Sequence, residues 1–307
     1  MTKRVAVIGA GTIGASWAAI FLARGLEVAA YDPAENGESF LRKFIGNAWP
    51  TLRQLNWVLP EADPMRLSFH REAADAVRDA QFIQESGPER EDAKLALFKE
   101  MDAAAPKESV IASSSSGFMV SVMQRACKHP ERCVIGHPFN PPHLIPLVEV
   151  VGSDKTSPQA IETAMEFYKS IGKRPIHIKK EVRGHVANRL QTVLWKEAVK
   201  LVAEGVVSVS DADAAIAYGP GLRWALMGPH LTFHLAGGEG GMTNFMHHIA
   251  PAAQTWIDDG SGPWLTPEVQ KLIIDGVAEE AAGRSVPDIA KWRDRKLIDI
   301  LKVSDAP

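Results

Sequence analysis

Short apolar runs open the chain and recur through its first half. They fall at residues 4–8 (RVAVI), 27–31 (EVAAY), 82–84 (FIQ), 110–112 (VIA), 133–136 (CVIG), 147–151 (LVEVV) and 175–178 (PIHI). Such runs, bounded by polar and turn-forming residues, predict buried strands. Between most of them lie segments of helical period, such as 92–104 and 158–171. This alternation predicts a mostly parallel sheet with helices on both faces. The run 38–59 interrupts it: Leu41, Phe44, Ile45, Leu52 and Leu55 form an apolar stripe that predicts an inserted helical pair. The character changes at Arg183-Gly184. Residues 185–204 form one long helical pattern, with Val186, Leu190, Val193, Leu194 and Leu201 recurring at helical spacing. Ser210-Asp211 reads as the N-cap of the next helix, and helix-rich sequence continues to the end. The expected organisation is an α/β domain over 1–183, with its helical insertion at about 38–59, followed by an all-helical domain over 184–307. Apolar stripes on a helical second domain also predict a homodimer formed through it.

Composition narrows the function classes. A chain of 307 residues suits about two domains. A net charge of −3 gives no electrostatic pull toward nucleic acid or an anionic membrane surface. No apolar run reaches the roughly 18 residues of a membrane span. The opening MTKRVAVIGAG is broken by Gly9, Gly11 and Gly14, so it reads as a buried strand rather than a signal peptide. Cys127 and Cys133 form no CxxC, which suits a reducing cytoplasm. His230 and His234 have a metal-capable spacing but no HExxH and no accompanying Cys or Asp set, so no metal is expected.

Directly after the first predicted strand comes Gly9-Ala-Gly11-Thr12-Ile13-Gly14, a GxGxxG turn that opens a helix. Gly9 allows the tight turn, Gly11 admits a pyrophosphate to the backbone, and Gly14 lets helix and strand pack closely. The helix N-terminus offers free N–H groups and partial positive charge to the phosphates. Asp32, at the end of the next strand, is placed to accept from a ribose 2′-OH. The domain is therefore expected to be of Rossmann type. A carboxylate at 32, with no arginine in Pro33-Ala34-Glu35, favours NAD over NADP, while the motif alone also admits FAD.

Ligands of open parallel sheets bind beyond the carboxyl ends of the strands. Residues 9–14, Asp32, 85–89, 113–116 and His137 would meet there. In HPFNPPHLIPLVEV, His137 and Glu149 are polar groups in a largely apolar stretch. A dehydrogenase needs a base for the hydroxyl proton, and histidine titrates near working pH. A carboxylate on its other ring nitrogen would orient it, if Asn140-Pro141-Pro142 turns the chain so that the next strand returns past His137. From the residues alone, this pair and a structural histidine beside a strand-edge glutamate stand level.

The combination of GAGTIG with Asp32, ESGPE at 85–89 with Lys94, SSSSG at 113–117, HPFNPPHLIPLVEVV at 137–151 and GHVANRL at 184–190 resembles the L-3-hydroxyacyl-CoA dehydrogenase superfamily over nearly the whole chain. The resemblance implies that His137 is the catalytic base and Glu149 its orienter, with Ser116 polarising the substrate and Asn188 in the active site. It also implies that Glu89 and Lys94 lie near the nicotinamide ribose and that Ser114 contacts the nicotinamide. With Asn188 drawn from the helical domain, the site would lie between the domains. Where acyl-CoA enzymes carry HFFNP, this chain has HPFNPP, and GPGLRWALMGP at 219–229 resembles the free-acid branch, the carnitine and gulonate dehydrogenases and λ-crystallin. AAGRS at 281–285 and the WRDRKLIDIL that follows favour the carnitine type. Arg223 would hold a substrate carboxylate in a bidentate fork. Trp224, with Trp195, Trp256 and Trp264, is a candidate to face a trimethylammonium group. The expected activity is NAD-dependent interconversion of a small L-3-hydroxy acid and its 3-oxo acid. The rivals are L-gulonate, CoA thioesters met by Arg42, Lys43 and Arg53, and a non-catalytic NAD-binding structural role.

Overall fold

The computed structural model of the chain describes residues 4–250 and 286–303, together with 252, 268, 282 and 283. Trp256, Trp264 and most of the 281–285 stretch lie outside the described residues. Two compact units are present, dividing between Arg189 and Leu190. Asn188 therefore belongs to the first unit.

The first unit is built on an eight-stranded sheet in the order β3-β2-β1-β4-β5-β6-β7-β8. Its strands are β1 (Arg4–Ile8), β2 (Glu27–Tyr31), β3 (Leu67–His70), β4 (Phe82–Glu85), β5 (Val110–Ser113), β6 (Cys133–Pro138), β7 (Leu147–Val151) and β8 (Arg174–Ile178). β1 to β6 run parallel; β7 is antiparallel to β6, and β8 follows β7 in parallel. The central β1 has Val5 to Ile8 fully buried, the pattern of a parallel strand covered on both faces. α1 (Thr12–Ala23) is apolar nearly all round, and residues 14–23 are all buried.

Two elements differ from the sequence reading. β3 is not apparent in the sequence: it has only four residues, pairs only with β2, and alternates weakly as LSFH. The run 38–59 holds one continuous helix, α2 (Gly37–Gln54), and not a helical pair. Pro50 lies in its last turns, and the position four residues back is Gly46, with open space where a Cβ would stand. A proline near a helix end forfeits one backbone bond without breaking the helix when the preceding turn is so uncrowded. Of the predicted stripe, Leu41, Ile45 and Leu52 are buried on α2, where Ala48 and Trp49 join them, while Phe44 is half-buried and Leu55 lies just past the helix end.

The remaining helices of this unit are α3 (Ala73–Val77), α4 (Glu91–Ala104), α5 (Val120–Met123) and α6 (Pro158–Ser170). α7 (Ala187–Ala203) begins in the first unit. The second unit continues through α8 (Val209–Ala217), α9 (Pro220–Trp224), α10 (Pro229–Ala236), α11 (Gly241–His248) and the helix Val286–Val303. The cap of α8 is Ser208, not Ser210: its Oγ accepts from Asp211 N at 3.0 Å and donates to Asp211 Oδ2 at 2.7 Å. The serine thus caps the helix, while Asp211 takes the serine's hydroxyl proton and not its backbone N–H as in a full capping box. Among the described residues, no helix is long and apolar enough to cross a membrane.

Candidate functional site

The glycine turn has the three properties its sequence demands. Gly9 has φ +95°, and a Cβ there would stand 2.6 Å from the Ser86 carbonyl oxygen. Gly11 has nothing within 4 Å of the place a Cβ would take, leaving its backbone open to a phosphate. A Cβ on Gly14 would run into the Gly9 carbonyl and lie 3.2 Å from Val7. Thr12 and Ile13 form the first turn of α1. Asp32 follows β2, and its oxygens accept from Ala10 N at 2.7 Å and Ala34 N at 2.9 Å. Each oxygen keeps capacity for another donor, such as a ribose hydroxyl. The turn, the open backbone and the carboxylate fit a dinucleotide.

A buried polar cluster follows β4 and β5. Lys94 Nζ, on α4, donates to Glu85 Oε1 at 2.8 Å, Glu85 Oε2 at 3.0 Å and Gly87 O at 3.2 Å. Glu85 also accepts from Ser113 Oγ and Gly87 N, each at 2.5 Å. Glu89, 3.4 Å from Lys94, accepts from Ser115 Oγ at 2.6 Å, Ser116 N at 3.0 Å and Gly117 N at 2.9 Å. Partial burial pushes the Glu89 carboxyl up, but hydrogen bonds from Ser115 and Gly117 and the Lys94 ammonium outweigh it and hold it below the usual range. Thus one carboxylate shapes the serine loop. Ile13, Ser86, Glu89, Lys94, Ser114 and Ser116 are among the residues lining a cavity of about 190 Å³. A larger groove of about 570 Å³, beside α6 and β8, holds none of the expected site residues.

β6 and β7 bring the other pair together. His137 and Glu149 are direct partners in the antiparallel register, so their side chains share a face. His137 Nδ1 lies 2.8 Å from Glu149 Oε2. The other oxygen, Oε1, accepts from Val186 N at 2.9 Å and Ala187 N at 2.8 Å. Burial pushes the Glu149 carboxyl up, but hydrogen bonds from His137, Ala187 and Val186 outweigh it and hold it below the ordinary glutamate range. An ionised carboxylate only accepts, so the ring proton sits on Nδ1 and the Nε2 lone pair is left to take another. Asn188 follows as the second residue of α7, while Ser116 is exposed in the serine loop.

His185, unassigned by the sequence reading, is buried with its ring centroid 5.0 Å from that of His137. Its Nε2 donates to Ser115 O at 3.0 Å, which leaves Nδ1 buried and unpartnered. Burial pulls this imidazole below its usual range, so it is neutral near pH 7. Glu85 and Ser115 were likewise not singled out. The sequence signal for Glu85 and Ser115 was their place in the strand-end motifs, and for His185 its place in the GHVANRL run. Arg223 and Trp224 lie on α9 in the second unit, both exposed. Among the described residues, no group of three or more potential metal ligands is present.

Residues 4–182 match the family described as 3-hydroxyacyl-CoA dehydrogenase, NAD binding domain, and residues 184–258 match its C-terminal domain. The chain belongs to the 3-hydroxyacyl-CoA dehydrogenase family. NAD is its cofactor, and it is an NAD-dependent oxidoreductase of that family. The chain is similar to the L-carnitine dehydrogenase of Streptomyces griseus, with 48% identity covering 98% of this chain and 90% of that one. It is also similar to the L-carnitine dehydrogenase of Pseudomonas aeruginosa, at 45% identity covering 97% and 93%. Among solved structures, an NAD⁺-dependent 5-formyl-3-hydroxy-2-methylpyridine 4-carboxylic acid 5-dehydrogenase matches with a TM-score of 0.86 at 28% identity, over 99% of both chains. The 3-hydroxybutyryl-CoA dehydrogenase of Escherichia coli K12 matches with a TM-score of 0.69 at 26% identity, over 90% of this chain and 57% of that one.

Proposed function

We propose that this family member oxidises the C3 hydroxyl of a small L-3-hydroxy acid to the 3-oxo acid, reversibly, with carnitine-type substrates ahead of sugar acids. The observation that carries the chemistry is the His137–Glu149 pair at 2.8 Å, with the second Glu149 oxygen satisfied by two backbone N–H groups. The Nε2 of His137 takes the hydroxyl proton, and Glu149 fixes the tautomer and stabilises the imidazolium that forms. Ser116 and Asn188 act as neutral hydrogen-bonding groups on the C3 oxygen as it passes between alcohol and carbonyl. NAD, when bound, supplies the acceptor for the C3 hydride. Gly9 to Gly14 and Asp32 hold the cofactor's pyrophosphate and adenosine ribose, while Glu89, Lys94 and Ser114 line its nicotinamide end.

Support for carnitine comes from relatives of that name at 43–48% identity, each covering at least 96% of this chain. Arg223 offers a fork for the free carboxylate that a thioester lacks, and Trp224 an aromatic face for the trimethylammonium group. A homodimer through the helical domain, in the cytoplasm, completes the proposal. The test is NAD reduction, followed spectrophotometrically, with L-carnitine, L-gulonate and 3-hydroxybutyryl-CoA. Turnover of L-carnitine well above the others is expected. Turnover of the thioester alone would end the free-acid reading; NAD binding without turnover of a wide hydroxy-acid panel would point to a structural role.

A further inference from the structure

From the 190 Å³ cavity a chain of polar groups runs inward through Ser86 and Ser114, and beyond Ser114 no step of the proposed reaction uses it. Tyr168 on α6 is fully buried, and its hydroxyl donates to Gln84 Oε1 at 2.6 Å. Gln84 on β4, also fully buried, donates from Nε2 to Gly136 O at 3.3 Å and to Ser114 Oγ at 2.9 Å. Trp17 Nε1, on α1, donates to the same Ser114 Oγ at 3.2 Å. Ser114 Oγ in turn lies 2.9 Å from Ser86 Oγ.

Donor and acceptor chemistry fixes the direction of every link. The Gly136 carbonyl can only accept, so the Gln84 amide nitrogen faces β6 and its oxygen faces Tyr168. Burial raises the Tyr168 phenol well above its ordinary range, so it keeps its proton and donates. A Cβ on Gly136 would collide with that hydroxyl, which accounts for the glycine before His137. Ser114 Oγ thus receives two N–H donors, from Trp17 and Gln84, filling both lone pairs. Its own proton is left for Ser86. Ser86 Oγ, having accepted, must turn its hydroxyl hydrogen elsewhere. Its backbone N–H is already committed to Ile8 O at 2.7 Å. Ser86 lines the cavity, and its carbonyl abuts the Gly9 turn.

We infer that Ser86 is a cofactor-positioning residue: its hydroxyl donates to an oxygen of the nicotinamide riboside of bound NAD, in a direction imposed by Tyr168, Gln84, Trp17 and Ser114. The inference rests on reading this cavity as the nicotinamide end of the NAD site. Its hydrogen bond differs from those of Asp32 and Gly11, which serve the adenosine ribose and the pyrophosphate.

The experiment is calorimetric titration of the full chain and its variants with NAD and, separately, with ADP, which lacks the nicotinamide riboside. Ser86→Ala should weaken NAD roughly five- to tenfold, the worth of one such hydrogen bond, while ADP affinity stays unchanged. Ser86→Thr, which keeps the hydroxyl, should restore NAD affinity to within about twofold of the parent. Unchanged NAD affinity in Ser86→Ala would overturn the inference, as would equal weakening of NAD and ADP, which would mark a structural effect. A parent chain that binds ADP but gains nothing from the nicotinamide riboside would overturn the reading of the cavity itself.

Discussion

An ionised carboxylate can only accept hydrogen bonds, and at Glu149 that fact sets the state of His137. Oε1 is held by Val186 N and Ala187 N, so Oε2 alone faces Nδ1. In Glu149→Gln the two backbone N–H groups still need an acceptor, so the amide oxygen stays with them. The amide NH₂ then faces Nδ1, which must accept, and the ring proton moves to Nε2. The base is lost without a change in shape. The turnover number should fall by about 10³–10⁴-fold, as when a triad carboxylate becomes an amide, with NAD affinity within about twofold of the parent. Steady-state assays and NAD titration check both; survival of turnover would mean that another base operates. Two polar residues flanking a Pro-rich break in an apolar run raised the His137–Glu149 pairing only level with a structural histidine beside an edge glutamate, and the family resemblance is what favoured it. The far side of Glu149 was not legible, because backbone N–H groups carry no sequence signature. Nor was Lys94–Glu85, an ion pair that exists only once α4 lies against the end of β4.

At the scale of elements, the link between β6 and β7 is held by an unusual lysine. Lys173, buried just before β8, donates to the carbonyls of Pro142 and Ile145 and lies 5.5 Å from the Trp17 ring. On the other side, Ser16 of α1 accepts from His143 N at 2.8 Å and lies 2.7 Å from its Nδ1. Burial pulls the Lys173 ammonium down to about 7. A neutral amine has two N–H donors, matching the two carbonyls. Because the folded pKa lies below the unfolded one, the unfolded chain holds one more proton between pH 7 and about 10.4, so stability from this group rises with pH across that window, by up to about 1.4 kcal/mol per unit. Lys173→Met should remove that slope and cost about 1–3 kcal/mol by leaving two buried carbonyls unpaired. Urea unfolding of both proteins from pH 7 to 10 measures this; parallel curves would mean that the lysine keeps its charge when folded. The lysine had no advance signature, because its partners are carbonyls from another loop. The strands and α1 were legible from apolar runs and glycine spacing, whereas β3, with only Leu67 buried, lacks the continuous apolar run that marks the equally short β4 and β5. The α8 cap was misplaced because Ser208 and Ser210 each have an acid three residues on, Asp211 and Asp213, so spacing does not separate them; only the backbone, which turns helical at Val209, selects Ser208.

At the scale of the molecule, the large exposed apolar side chains are unevenly distributed. In the single chain, Leu190, Val193, Leu222, Leu226 and Leu235 of the second unit are each more than 60% exposed. Much of the α7 stripe read from the sequence is on this exposed side, while Val199 and Val202 are buried. Sequence periodicity reveals an apolar face but cannot tell whether its cover comes from the same chain or a second copy. Monomers rarely leave such a face in water, and a stable interface needs about 800 Å² from each partner. The expected assembly is a pair, so sedimentation equilibrium should return about twice the chain mass of 33.4 kDa. Val193, 69% exposed on α7, is the place to test it, since a charge there costs the isolated chain little. At a desolvated interface the same charge would be unpaired in each copy and strongly unfavourable. Val193→Glu should therefore shift the mass toward one chain at micromolar concentration while the circular-dichroism spectrum keeps its helical content. A parent that sediments as one chain, or a variant that stays paired, would remove this face from the interface.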